Sequence, residues 1–271
     1  MGYVGDFLAK ELNIEDPIMF RSISSAAYFY SYAIAQIPTG VLLDSLGILR
    51  YGFIGVVVMA FGGFLSAFAL DYPMVVLSRA IIGFGAAVVF VGIQRYIGKY
   101  YPISLSASLT SLASIIGNVG AIYAQFPMVI LAYVIGVRGS LLSLAILTVI
   151  SAALIPLTIR DRGLESTNIS IGLKKTVKCL SIVMRNPHSL SLFTAVFIGY
   201  GTLMLLQTII LRDYAIDTLG LGMAEASSLI VAVTIGYIIG SMIAGVLSDR
   251  IVKARKPFLQ YAYLTTAIMM P

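Results

Sequence analysis

Most of the residues whose type and spacing could do chemistry in this chain lie inside apolar stretches. Arg79 falls about five residues inside a stretch running from 74 to 97. An arginine at membrane depth costs at least ~2.5–3.5 kcal/mol at the bilayer centre and less near an edge, and it normally faces a cavity or a partner. Two fates are open to it: meeting an anion in a cavity, or snorkelling to the headgroups. Gln94 lies only ~60° around the same helix and so shares that face. Arg95, near the other end, reads as a snorkelling residue or as the partner of a loop carboxylate. Further on, Ser111, Ser114, Asn118 and Gln125 form one polar stripe on an apolar helix. Lipid does not tolerate amides, so the stripe faces protein or water, as a cavity wall or as helix–helix hydrogen bonds. Tyr28, Tyr32 and Gln36 make a similar stripe, as do Tyr200 and Gln207. Gly236 and Gly240 read as a small-residue packing pair. These groups suit the binding of a polar solute. No Asp or Glu lies well inside a complete span, and no cluster of carboxylates or histidine marks an enzyme acting on lipid-linked substrates. With one cysteine and one histidine, the chain offers no disulfide framework and no histidine-rich metal site, and no cofactor is expected.

The elements that must position these residues are membrane helices. Of 271 residues, 59% are hydrophobic and 11% charged, against about 25% charged in soluble domains. The mean hydropathy is +0.97. Spans of ~20 apolar residues are predicted near 22–43, 52–70, 74–97, 105–134, 139–159, 190–211 and 225–246, with an interruption possible at Pro127. An incomplete one begins near 258. The polar stretch from Arg160 to His188 divides them. Within it Leu173, Val177, Leu180 and Met184 share a helical face, as in an amphipathic helix on a membrane surface or a solvated linker helix.

The net charge of +6 raises nucleic acid as a partner, but the placement of the charge answers otherwise. If the loop holding Asp44 is cytoplasmic, alternation puts Arg50, Arg95, Lys99, Arg160, Arg162, Lys174, Lys175, Lys178, Arg185, Arg250, Lys253, Arg255 and Lys256 on the same side. The other side holds only Lys10, Arg21, Arg138 and Arg212. That asymmetry is a topology signal in a multi-pass protein of the cytoplasmic membrane; the partner is the bilayer and no nucleic acid is expected.

One phrase is written twice. Gly40-Val-Leu-Leu-Asp44 returns as Gly245-Val-Leu-Ser-Asp249, 205 residues on, and the same offset pairs Tyr32 with Tyr237. Both copies end a span and open a short basic loop. Such a repeat suggests two related halves about an axis normal to the membrane. The chain here resembles the major facilitator superfamily of secondary transporters, whose signature, roughly G-x-L-x-D-R-x-G-R-R/K, follows the second helix of each six-helix half. Gly40, Leu42, Asp44, Gly47 and Arg50 match in the first copy; Gly245, Leu247, Asp249, Arg250, Lys253, Arg255 and Lys256 match in the second. The first copy departs at Ser45 and the second at Val252. Arg79-x-x-x-Gly83-x-Gly85, "GVRGS" at 136–140 and the loop-like "LRDYAIDTLGLG" from Leu211 agree with the family.

The resemblance implies an all-α polytopic bundle of two pseudo-symmetric halves, with about seven complete spans and part of an eighth. It implies an N-terminal bundle over 1–159, a cytoplasmic linker over 160–188 and the start of a C-terminal bundle over 189–271. On that register the chain reads as a fragment, with Met1 to Val4 the tail of family helix one and helices nine to twelve missing. It implies alternating-access transport of a small polar solute, an organic anion on the strength of Arg79, with or without a coupling ion. Arg79, Gln94, Asn118, Gln125, Tyr32, Gln36, Tyr200 and Gln207 are then the expected substrate contacts. Gly40, Asp44, Gly47, Arg50, Gly245, Asp249 and Arg250 are the expected gating residues. Efflux of amphipathic compounds and a receptor or scaffold that does not transport are the alternatives; the absence of a Gly-Pro pair in "GNVGAIYAQFP" weighs against drug efflux.

Overall fold

The computed structural model describes residues 2–124, 126–158, 169–206 and 210–246. Gln125, Gln207, Asp249 and Arg250 lie outside the described residues, as does the incomplete span expected from about 258. Among the described residues the chain is helical, with no strand.

A first group of helices comprises α1 (Gly2–Glu11), α2 (Pro17–Leu46), α3 (Ile48–Ala67), α4 (Tyr72–Tyr100), α5 (Ile103–Tyr123) and α6 (Phe126–Thr158). After α7 (Ile169–Arg185) come α8 (Pro187–Leu205), the short α9 (Leu211–Asp213), a π-helical turn over Tyr214–Thr218 and α10 (Met223–Val246). Among the described residues three stretches are by themselves long and apolar enough to cross a bilayer: Ile48–Ala67, Tyr72–Tyr100 and Pro127–Thr158. Helix α2 has the length, at 30 residues, but its serines, tyrosines and Gln36 dilute its apolarity. Those same residues turn out to matter at the site.

Local signals set the helix ends. Asp16 caps α2, accepting from the Met19 backbone N–H at 2.9 Å, and Asp71 caps α4, accepting from Met74 at 2.8 Å. Each also has a proline in the first turn, where a missing N–H is not needed. At the other end of α2, Gly47 takes φ 83° and lets α3 begin at the next residue. A side chain there would be strained, so the signature glycine is the corner itself.

Helix α4 is the spine of the first group, packed along both α2 and α3, and α6 lies on α3. Small residues let the backbones close. A Cβ on Gly83 would collide with the Tyr28 carbonyl and the Ser31 hydroxyl of α2. One on Gly85 would come within 2.5 Å of the Gly55 carbonyl oxygen on α3. Without a hydrophobic drive between helices in lipid, such close packing is what holds them together. Gly236 and Gly240, expected to play that part on α10, have nothing within 4 Å of where a side chain would start.

Three expectations need correction. The predicted span 105–134 is not one helix: α5 stops at Tyr123, and 126–135 belongs to α6, which kinks at Gly136 (φ 76°). Beyond the kink Arg138 clamps the corner, its Nε 2.5 Å from Glu11 Oε1 and one terminal nitrogen 3.1 Å from the Ala69 carbonyl oxygen. The helix expected to end at Val4 runs on to Glu11 as α1, because Val4, Leu8 and Ala9 bury one face against Phe20, Val75 and Met128. The stretch read as a loop from Leu211 is helical as far as Thr218, and only Leu219–Gly222 turns, with Gly220 at φ 66°. Helix α7 occupies the stretch where a linker helix was expected and packs on α2.

Candidate functional site

A cavity of about 500 Å³ lies where α2, α4 and α5 meet α8 and α10. Its wall includes Tyr32, Phe90, Ser114, Gly117, Asn118, Tyr200, Met204 and Tyr237. A side pocket of about 180 Å³ continues between α5 and α10, lined by Thr110, Ser111, Ser114, Asn118 and Tyr237 among others. The polar stripe of α5 therefore faces a cavity, except that Gln125 lies outside the described residues. Ser114 and Asn118 are partly spent on the helix itself, Ser114 Oγ donating to the Thr110 carbonyl at 3.0 Å and Asn118 Nδ2 to the Ser114 carbonyl at 2.8 Å. Back-bonding of this kind leaves the amide oxygen for another donor.

Tyr32 and Tyr200 line the cavity as the sequence suggests. Gln36 hydrogen-bonds the Tyr32 phenol instead of forming part of this wall. Gln94 is likewise occupied: its Oε1 accepts from Thr110 Oγ1 at 2.9 Å, which ties α4 to α5. Tyr237 and Thr110 were not among the expected contacts. The signal for Tyr237 was present, since the offset that pairs Asp44 with Asp249 also pairs Tyr32 with Tyr237.

Arg79 does not line this cavity. It sits two turns inside α4, with its guanidinium carbon 5.1 Å from the centre of the Tyr28 ring. Tyr28 in turn stacks on Tyr32, ring centres 6.0 Å apart and planes 20° from parallel. Tyrosines 28 and 32 thus stand between the charge and the open space. The close crossing at Gly83, one turn along from Arg79, brings α2 near enough for this. Arg79 Nε is shielded and has no hydrogen-bond partner. Among the described residues no carboxylate lies within ion-pair distance of it. A cation over an aromatic face gains about 0.5–2 kcal/mol, less than a paired carboxylate would supply in the same surroundings.

At the end of the bundle where α2 stops, Asp44 pairs with Arg95 of α4. Of the two fates open to Arg95, snorkelling or pairing with a carboxylate, the structure shows the pairing, and its partner lies in the last turn of α2 and not in a loop. Thr39 and Tyr51 share a buried hydrogen bond at 3.3 Å, and Leu43, Ile48, Tyr51 and Val88 pack beneath the corner. Gly40 has nothing within 4 Å of a would-be side chain, Arg50 is exposed, and Gly245 is the second-last residue of α10.

The cavity thus lies between the helices before and after α7, walled by three phenols, apolar side chains and the Asn118 amide. The chain matches the model of the Major Facilitator Superfamily over residues 4–270, and it belongs to that family. It is accordingly a multi-pass integral membrane protein of a class of transporters that bind small molecules within the membrane. No curated protein matches the chain.

Proposed function

We propose that this protein carries a small organic anion across the cytoplasmic membrane, by alternating access between the helices before and after α7. The observation behind the anion is Arg79. Its charge is permanent, its Nε is shielded and unbonded, and the face it meets is an aromatic ring. A low-dielectric site with an uncompensated cation favours a visiting carboxylate or phosphate, and the planar guanidinium suits both in bidentate fashion. Tyr28 and Tyr32 are the groups such a solute must displace or slip past. Asn118, Tyr200 and Tyr237 supply neutral hydrogen bonds to the remainder of the solute. Asp44 and its neighbours Gly40, Gly47 and Arg50 act at the cytoplasmic corner as part of the gate, with Gly245, Asp249 and Arg250 as the matching corner of the other half.

Competition uptake into proteoliposomes tests the substrate class. Anionic solutes should compete best, and Arg79→Gln should abolish their advantage over neutral ones. If neutral or cationic solutes compete best and Arg79→Gln leaves their uptake intact, the anion reading is wrong. One observation favours a second reading, efflux of an amphipathic compound: Phe90, Tyr32, Tyr200, Met204 and Tyr237 give the cavity a largely aromatic wall. The same assay separates the two. Orientation is tested by cysteine substitution: a membrane-impermeant reagent outside intact cells should label position 71 and not position 175.

A further inference from the structure

Arg21 stands near the start of α2, at the end opposite Asp44. Its Nε lies 3.3 Å from Asp6 Oδ1 on α1, and both terminal nitrogens lie 3.5 Å from Asp213 Oδ1 on α9. The Arg21, Asp6 and Asp213 side chains keep only 14%, 13% and 28% of their accessible surface. The first of these pairs joins two helices of the first group. The second joins that group to the helices after α7. Apolar packing reaches across in the same direction, for Val129 of α6 is buried with Ala215, Ala226 and Ile230, flanked by Leu211 and Ile216. The Asp44–Arg95 pair at the other end has no such reach, since both residues belong to the first group.

We infer that Arg21 and Asp213 form a latch that holds the two groups closed at this end, and that it must part for the cavity to open there. The pair can bias the equilibrium only if it exists in one state and not in the other, and a contact between bodies that separate meets that condition. Its shielding from water makes it stronger than a surface ion pair. Its long 3.5 Å contacts leave it weaker than an ideal bidentate pair, as suits a contact that must break in each cycle. Asp6 holds the guanidinium in place from within its own group, and the small apolar patch around Val129 seals the seam without fixing its register.

The test uses Cys179→Ser with Ser114→Cys as a reporter in the cavity wall. A membrane-impermeant thiol reagent is added on the side that Arg21 faces, and the labelling rate is measured. Asp213→Asn and Arg21→Gln should each raise that rate roughly fivefold or more, the low end of couplings that shift a two-state equilibrium. The exchange of Arg21→Asp with Asp213→Arg, made together with Asp6→Asn so that two carboxylates do not face each other, should return it toward the parent rate. Asp6→Asn, which leaves the Arg21–Asp213 pair in place, should change it less than about twofold. An unchanged rate in Asp213→Asn, or an equal rise in Asp6→Asn with no rescue by the exchange, overturns the latch. A second measurement does not depend on those variants folding well. Arg21→Cys with Asp213→Cys in the Cys179→Ser background, joined by a reducible bifunctional thiol reagent long enough to stand in for the arginine side chain, should lose uptake until the link is reduced. Failure to crosslink, or crosslinking with uptake intact, also overturns it.

Discussion

Arg79 and Arg95 sit on the same helix, and both meet α2. Arg95 is 51% exposed and pairs with Asp44, itself 38% exposed. Arg79 lies against the Tyr28 ring, with a shielded Nε and no acid in reach among the described residues. A charge that water reaches needs no partner, so a carboxylate beside it adds little, a median of about 0–1 kcal/mol. A shielded charge without an acid carries its desolvation cost uncompensated. The exposed pair is therefore suited to making and breaking, and the shielded arginine to receiving something that arrives.

The hardest blow to this contrast is dealt at Arg79. Arg79→Gln should weaken the apparent affinity for an anionic solute roughly thirtyfold, since losing one partner of a shielded charge contact costs about 2 kcal/mol or more. Arg79→Lys should lose about tenfold, because a point charge replaces the bidentate fork. Uptake at graded substrate concentrations measures both. Equal affinities in wild type and Arg79→Gln would put Arg79 in the same class as Arg95, as a residue of structure alone.

The next effect is smaller and tests what covers Arg79. Tyr28→Phe keeps the aromatic face and should leave affinity within about twofold, whereas Tyr28→Leu removes a contact of about 0.5–2 kcal/mol. Tyr28→Leu should therefore change affinity about threefold or more. A gain would mean that the ring competes with the solute for the guanidinium; a loss would mean that the ring positions it. No change in either variant would leave Tyr28 out of the site.

How much of this was legible beforehand follows from which signals are local. The α2–α3 corner was readable because Gly40 and Asp44 recur with fixed spacing as Gly245 and Asp249, and because Gly47 has a local task at the turn. The stripe of Ser111, Ser114 and Asn118 was readable because lipid forbids amides on its side of a helix. Three features were not, because they depend on a second helix whose position no local pattern fixes. Gln94 is taken up by Thr110 across α4 and α5. Arg79 is hidden behind Tyr28 instead of lining the open space. Arg21 was counted as a loop charge, although it gathers carboxylates from α1 and α9. The break of the predicted span at 105–134 has another cause. The sequence from Ile103 to Ile135 stays apolar across Tyr123, and apolarity alone cannot say where a chain turns between two helices.

The remaining effect belongs to Asp44, and it shows in rate, not in affinity. Asp44 and Arg95 both belong to the first group of helices, so their contact acts on opening through the packing of α2 on α4, which carry Tyr32 and Phe90 of the cavity wall. The pair is half exposed, and its loss is worth at most about 1 kcal/mol, or roughly fivefold in a population. Asp44→Asn should thus lower uptake at saturating solute about three- to fivefold and leave half-saturation unchanged, because the carboxylate touches no solute. Arg95→Gln should do the same. In the double variant the two losses should not add, since each removes the same contact. Raising the ionic strength should narrow the gap between wild type and Asp44→Asn, because exposed charges are screened over about 10 Å at 0.1 M salt. A rise in half-saturation with turnover intact would place Asp44 at the solute, and additive losses in the double variant would mean that Asp44 and Arg95 act apart.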